Sequence, residues 1–317
     1  MKVSVLVPVY NLERFIEPCL ESLLTQAVDF DFEVIAIDDG SSDGSWALMQ
    51  KLAAHYPQLR ALQNPQNIGL ARTQKRLLTE ARGDYIAYVD GDDLALPGKL
   101  QAMADYLDAH AECAVCYHEA EVFDSDSGMV TALYSRDYYN AAYVPGRASA
   151  EHLIRYGCFI NASAVAFRRH AHLLEAVDDG CKIILDHPWH ILNALYGKGT
   201  VDFISGVYGR YRIHADSFGG QTKRSPQRRE QVLADQLRAC DNARAFGIDD
   251  AIIAAGKAHY RFATALYFLK QGDMARFTRF INESVVNNWF FDDRHQLAWE
   301  LRAEPEQVAQ RLFGQPS

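Results

Sequence analysis

Gly83-Asp84-Tyr85-Ile86-Ala87-Tyr88-Val89-Asp90-Gly91-Asp92-Asp93 is the stretch on which the reading of the chain turns. Tyr85 to Val89 is a short run of aromatic and aliphatic residues, which predicts a buried strand. Three carboxylates, Asp90, Asp92 and Asp93, fall where that strand ends. Like charges this close repel, and a bound cation relieves the repulsion. Gly91 leaves room between them for a close backbone approach. Ligands of open α/β sheets collect outside the carboxyl ends of the strands. Asp90 and Asp92 therefore predict a hard-cation site with oxygen ligands, open to a phosphate. The competing reading is a solvated acidic turn that caps the next helix, and a short motif standing alone favours it. The flanking chain decides between the two.

Upstream, Val3 to Val9 predicts a first strand, and Phe15, Ile16, Cys19, Leu20, Leu23 and Leu24 recur at helical spacing to about residue 26. Phe32 to Ile37 predicts a second buried strand, ending in Asp38-Asp39-Gly40-Ser41-Ser42-Asp43-Gly44-Ser45. A helix marked by Trp46, Met49 and Leu52 follows, then a short strand over Arg60 to Gln63. A further helix is opened by Asn67-Ile68-Gly69-Leu70-Ala71-Arg72. Downstream, Pro97 suits the first turn of a helix continued by Leu100, Met103, Ala104 and Leu107, and Ala114 to Tyr117 predicts another strand. Strict alternation of strand and helix implies a mostly parallel sheet with helices on both faces. Acidic or polar clusters then stand at successive strand ends, at 38–39, 67–72 and 90–93.

The pattern breaks over 125–147, read as a loop over the site and rich in tyrosine (Tyr134, Tyr138, Tyr139, Tyr143). Ala148 to Tyr156 predicts a helix, Cys158 to Phe167 a strand, and Leu173 to Val177 a short helix. Asp186-His187-Pro188-Trp189 opens a helix ending at Gly197, and Val201 to Val207 predicts a strand. Residues 217–222 read as a mobile loop. Beyond Ser225 only helical spacing remains, with a hairpin about Gly272-Asp273 and an aromatic triplet, Trp289-Phe290-Phe291.

Composition narrows the classes. The 317 residues suit one large domain or two small ones, and 49% hydrophobic residues suffice for a full core. A net charge of -9 argues against nucleic acid as the main partner. No apolar run approaches the length of a membrane span, and Met1 leads straight into a strand with no cleavage-site pattern. Six scattered cysteines suit buried reduced thiols in a cytoplasmic protein. Dinucleotide and P-loop glycine fingerprints are absent from the N-terminal half.

At this point the chain resembles glycosyltransferase family 2, the inverting nucleotide-sugar transferases of GT-A fold. Four segments carry the resemblance over roughly residues 1–220. They are Val5-Leu6-Val7-Pro8-Val9-Tyr10-Asn11, Asp38-Asp39-Gly40-Ser41, Asn67-Ile68-Gly69 with Arg72, and Asp90-Gly91-Asp92. The implied fold class is α/β, a Rossmann-like, mostly parallel central sheet flanked by helices, with an all-helical C-terminal extension. The implied domains are 1–220, with a nucleotide-sugar half (1–120) and an acceptor-side half (121–220), followed by a helical region at 225–317.

The resemblance implies that Asp38 or, preferentially, Asp39 accepts a uracil-like imide N–H. Pro8, Tyr10 and Glu13 would shape the base pocket, and Arg72 would border it. Asp90, beside Gly91, would reach the ribose or the metal, and Asp92 would hold a Mn²⁺ or Mg²⁺ that bridges the two phosphates. Tyr211-Arg212-Ile213-His214-Ala215-Asp216-Ser217 resembles a further family element, in which His214 touches metal or phosphate and Arg212 offsets phosphate charge. Leu185-Asp186 stands where the family often has Glu-Asp, so the first acid is missing and Asp186 keeps the place of the general base. An aspartate opening a helix is also an ordinary N-cap. Tyr139 and Asn161 are candidates for acceptor contact.

The implied partners are a UDP-sugar donor and a saccharide or lipid-linked saccharide acceptor. The helical region suggests a homodimer contact, or peripheral contact at the inner face of the membrane. A sugar-1-phosphate nucleotidyltransferase would show a Gly-rich basic loop where Pro8-Val9-Tyr10-Asn11 stands. A non-catalytic sensor would tolerate loss of Asp92 or Asp186, and both are present.

Overall fold

The structure is a computed structural model and describes residues 1–314 other than 216, 218–220, 223, 224 and 287. The chain forms two compact units that interleave in sequence. The first comprises Met1–Ala150, Cys158–Asp179 and Trp189–Ala215; the second comprises Glu151–Gly157, Gly180–Pro188 and Asp216–Ser317. The expected boundary at 220–225 falls close to the last of these divisions. Two short earlier segments, 151–157 and 180–188, nonetheless belong with the C-terminal helices.

Four strands of the first unit are parallel, in the order β3-β2-β1-β4: β1 (Val3–Val9), β2 (Phe32–Asp38), β3 (Leu59–Gln63) and β4 (Tyr85–Tyr88). Helices α1 (Ile16–Leu24), α2 (Ser45–Ala53) and α3 (Leu70–Glu80) connect them. Every residue of β1 is buried, because helices cover both faces of a parallel sheet, and so its sequence is a continuous apolar run. Val5 and Val7 pack with Ile16, Leu20 and Leu23 of α1 in the main core. Each such side chain contributes roughly 1.5–3 kcal/mol on burial.

The remaining strands make the sheet mixed. They are β5 (Leu94–Ala95), β6 (Cys113–Asp124), β7 (Val130–Leu133), β8 (Arg147–Ala148), β9 (Val165–Arg168) and β10 (Thr200–Ile213). The path continues β4-β9-β6-β10-β5, with β7 added to β6 and β8 to β10. The long β6–β10 ladder is parallel, and β9 runs antiparallel between β4 and β6.

Several expectations shift here. Pro97 lies before α4 (Lys99–Ala109) rather than in its first turn. The chain first pairs β5 with β10, and Gly98, at φ 85°, makes a left-handed turn into the helix. The expected loop at 125–147 contains β7 and β8 at its two ends. Residues 173–177 form a turn, not a helix. The strand expected at 201–207 runs on to Ile213, because bulges between Ile204 and Gly209 let it follow β6. Arg212 therefore lies in a strand.

After α4 come α5 (Ala150–Tyr156) and α6 (Asp186–Gly197), and the second unit contains α7 (Pro226–Asn242), α8 (Asp250–Lys270), α9 (Met274–Ser284), α10 (Asp293–Glu300) and α11 (Pro305–Phe313). Helices α7 to α10 start where the side chains of Ser225, Asp249, Asp273 and Asp292 accept first-turn N–H groups. Gly272 at φ 73° turns α8 into α9, and the Phe268 and Phe280 rings stack across that hairpin at 5.5 Å. The aromatic triplet packs within its own unit: Phe291 stacks on His259 at 4.7 Å and Phe290 meets Trp299. No helix among the described residues is long and apolar enough to cross a membrane. Of the expected mobile loop at 217–222, residues 218–220 lie outside the described residues, as does Asp216 of the Tyr211–Ser217 element.

Candidate active site

The acidic loop follows β4 and is shaped by backbone contacts. A Cβ on Gly91 would stand 3.0 Å from the Pro8 carbonyl oxygen and 2.8 Å from Leu12 Cδ1, so the close approach read from the sequence is realised. Asp93 N–H closes the turn onto the Asp90 carbonyl at 3.0 Å. The Tyr88 hydroxyl donates to Asp90 Oδ1 at 2.8 Å. His214 comes to the same loop from the end of β10, with Nε2 3.0 Å from Asp92 Oδ2 and its ring 4.8 Å from that of Phe15. The β6–β10 ladder brings His214 to Asp92 across 122 residues.

Arg212 lies beneath this pair. Its Nε donates to the Asp92 carbonyl at 2.6 Å, and its backbone N–H donates to Asp93 Oδ1 at 2.7 Å. Phe15 and Phe123 place their rings 4.8 and 4.7 Å from the guanidinium carbon. The guanidinium that was expected to meet phosphate is therefore already engaged in holding the acidic loop. Burial lowers its pKa, against the opposing pull of Asp92 and Asp93.

Ser163 was not anticipated, and it is the hub of the loop. Its hydroxyl accepts the Asp90 N–H at 2.9 Å and donates to Asp93 Oδ2. Its carbonyl accepts the ammonium of Lys99, which is fully buried. Burial pushes the Asp93 carboxyl well above the usual range, and Asp92 and Asp90 push it further. Burial lowers Lys99 to about 8, with Asp93 opposing. Asn161 accepts the Ser163 N–H at 3.0 Å as the cap of a short 3₁₀ turn and is itself buried. The side chain expected at the acceptor is instead used to seat Ser163.

The end of β2 lies two strands away. Asp39 Oδ1 accepts from Asn64 Nδ2 at 2.7 Å and from Ile68 N–H at 2.9 Å; Oδ2 accepts Gly69 N–H at 2.9 Å. Among the described residues, no second donor to Oδ2 is seen. Asp38 Oδ2 accepts from Gln63 and from Ser41 N–H, while its buried Oδ1 has no partner among the described residues. Glu13 accepts the Gly44 N–H at 3.1 Å, which ties the turn after β1 to the start of α2. Tyr10 is 48% exposed beside that turn. Arg72 is exposed in the first turn of α3, where a cation opposes the helix dipole, and no ion pair holds it there among the described residues. Tyr139, 54% exposed, lies in the 134–146 connection with its ring 4.5 Å from Tyr138.

The first unit thus brings together Pro8, Gly91, Asp90, Asp92, Arg212 and His214, and places Asp38 and Asp39 at the end of β2 and Arg72 in the first turn of α3. Asp186 opens α6 (Asp186–Gly197) and belongs to the second unit. Sequence reasoning missed Ser163, Lys99 and Asn64. A small polar residue before a strand, or a lysine in a helix, carries no signal that it will be buried under an acidic loop.

The donor set is hard carboxylate oxygen with one imidazole. Asp92 and His214 are the pair that could hold a divalent metal, and the imidazole favours Mn²⁺ over Mg²⁺.

Comparison with known proteins agrees with this architecture. The model of "Glycosyl transferase family 2" matches residues 4–169, and the chain belongs to that family. An uncharacterized protein of Mycobacterium tuberculosis is 31% identical over 210 residues, covering 65% of this chain and 57% of its own length. Chondroitin synthase of Escherichia coli is 28% identical over 147 residues, covering 45% of this chain and 21% of the synthase. The chain thus spans little more than half the length of the first of these relatives. Among solved structures, S. aureus TarS (residues 1–349) superposes with a TM-score of 0.66 at 19% identity, covering 99% of this chain and 92% of that one. The mannosyltransferase PcManGT of Pyrobaculum calidifontis, in complex with GDP-Man and Mn²⁺, gives 0.58 at 16% identity, covering 99% and 88%. At such identities the likeness shows the fold: a mostly parallel central sheet flanked by helices, with C-terminal helices.

Proposed function

We propose that the protein is a metal-dependent inverting glycosyltransferase. It moves a sugar from a nucleoside diphosphate, UDP by preference, to a hydroxyl of a saccharide or lipid-linked saccharide acceptor. The observation that carries this reading is the contact of Asp92 with His214 in the acidic turn after β4, two strands from Asp38 and Asp39. S. aureus TarS has been solved with UDP-GlcNAc, which supports a uridine donor. The setting is cell-surface polysaccharide, lipopolysaccharide or glycolipid synthesis on the cytoplasmic side, with the helical unit available for a second copy or a membrane surface.

Asp92 and His214 hold the divalent metal, which neutralises the diphosphate and makes it a better leaving group. Asp39 accepts the base N–H, with Tyr10, Pro8 and Glu13 around it and Arg72 at its border. Arg212 keeps the acidic loop closed and adds positive charge beneath it. Asp186 takes the proton of the acceptor hydroxyl as its oxygen bonds to the anomeric carbon, on the face opposite the departing nucleotide. The carboxylate-on-the-far-face logic is that of inverting glycosidases.

UDP titrated into the protein should bind far more tightly with Mn²⁺ than with EDTA. Asp92→Ala should abolish the difference. Equal affinity in both buffers for the parent protein removes the metal from the reading.

A further inference from the structure

The segment that carries Asp186 is gripped by the helical unit on both sides of that residue. Asp235, in the middle of α7, is 1% exposed. Its Oδ2 accepts three successive backbone N–H groups, from Lys182 at 3.1 Å, Ile183 at 2.7 Å and Ile184 at 3.0 Å. Gln231, one turn earlier, donates to Oδ1 at 2.9 Å and fixes the carboxylate from behind. One turn later the Arg238 guanidinium lies so close to Gly180 that a Cβ there would stand 2.2 Å from its central carbon. On the far side of Asp186, the buried Tyr260 of α8 meets His187 Nε2 through its hydroxyl and also reaches the Leu153 carbonyl at 3.5 Å.

We infer that Asp235 and Tyr260 are positioning residues for Asp186, so that the C-terminal helices are part of the catalytic apparatus. Three N–H groups converge on one carboxylate oxygen only if the backbone of 182–184 curls around it. That curl sets where the chain enters α6, and Asp186 is two residues beyond its last bond. A charge-assisted bond to each N–H is stronger than a neutral one, and a single oxygen holds all three. His187, tied to Tyr260, fixes the exit side. A merely structural helical appendage would not need a buried carboxylate spent on a loop. Both helices also lie outside the region matched by the family model, so family motifs do not report them.

The inference rests on the reading of Asp186 as base, and the experiment separates the two. The readout is UDP release in Mn²⁺ from UDP-GlcNAc, UDP-glucose and UDP-galactose, using whichever the parent protein turns over fastest. Asp235→Ala should lower kcat by about 10–100-fold, because a misplacement near 1 Å costs that much. KM for the donor and the affinity for UDP with Mn²⁺ should stay within about twofold. Asp235→Asn keeps one oxygen for the three N–H groups and should recover most of the rate. Tyr260→Phe, which changes one buried hydroxyl, should lower kcat less, and it carries the test should Asp235→Ala fail to fold. In the double variant, Asp235→Ala should slow Asp186→Asn no further, since residues acting through one group are non-additive. Parental kcat in well-folded Asp235→Ala and Tyr260→Phe overturns the inference. So does a loss in Asp235→Ala that multiplies that of Asp186→Asn. Parental turnover by Asp186→Asn alone overturns the base reading, and this inference with it, and is told apart by resting on the single variant.

Discussion

The two units secure their key carboxylates by opposite means. In the first, Asp90, Asp92 and Asp93 are crowded into one turn, and groups distant in sequence hold them: Ser163, itself bonded by the buried Lys99, and Arg212. In the second, Asp186 stands on a segment held through its own backbone, by Asp235 from one helix and through His187 by Tyr260 of another. A crowded acidic turn is electrostatically costly and needs compensation by cations, buried donors or a metal. A base depends above all on its position. The difference predicts that perturbing the first unit alters ligand affinity, and perturbing the second alters turnover.

The sharpest break of this comparison is Asp186→Asn. A base acts when the acceptor proton moves, so its loss should lower turnover by about 10²–10⁴-fold while UDP affinity with Mn²⁺ is nearly intact. Asp186 is the first residue of α6 rather than its N-cap, and asparagine keeps its shape there, so the helix should persist. Melting temperature, UDP affinity and UDP release on one preparation decide it. Near-normal turnover by a well-folded variant removes Asp186 from the mechanism.

Ser163→Ala is the matching test in the first unit. It strips Asp90 N–H of its acceptor and Asp93 of a donor, without touching a proposed ligand. Outer-sphere partners of metal ligands typically affect affinity by about 10–100-fold, and a loss of that order in Mn²⁺-dependent UDP binding is expected. Ser163→Thr should restore part of it. A variant that binds UDP and Mn²⁺ like the parent but turns over slowly would dissolve the contrast between the units.

What was legible in the sequence follows the same division. Strand and helix alternation through α4 was readable because parallel strands covered on both faces must be apolar runs, and β1 and β4 are such runs. The acidic, Asp38-Asp39 and Asn67–Arg72 clusters were readable because polar residues at strand ends stand out against apolar strands. The antiparallel insertion of β9 was not, since a four-residue apolar strand reads alike in either direction. Ser163 and Asn64 look like ordinary caps, and only long-range pairing shows what they hold. The membership of 180–188 in the helical unit rests on backbone N–H groups meeting Asp235, and backbone donors leave no trace in side-chain patterning.

The smallest expected effect is on stability in acid, and it sharpens the comparison through burial. In the second unit, burial lowers His187 and His259 to about 3 and His295 to about 4. Of the two buried imidazoles of the first unit among the described residues, His118 and His190, His118 is held well below its ordinary value by burial and by Lys99. A histidine whose folded pKa lies below its unfolded value stays neutral in the fold and takes a proton on unfolding. Its contribution is complete above about pH 6.5 and is lost as the pH falls from there toward the folded value. One unit below 6.5, each such group costs at most about 1.4 kcal/mol, and the three on one set of helices act together. Thermal unfolding at pH 7.5 and 5.5 should therefore show a drop of several degrees. Hydrogen exchange should place the larger loss of protection in Asp250–Lys270 rather than in β1 and β4. His259→Gln should flatten that pH dependence by removing one titrating group from the stack with Phe291. An acid loss confined to the strands, or one unaffected by His259→Gln, would show that the carboxylate turn and not the buried imidazoles sets the response to acid.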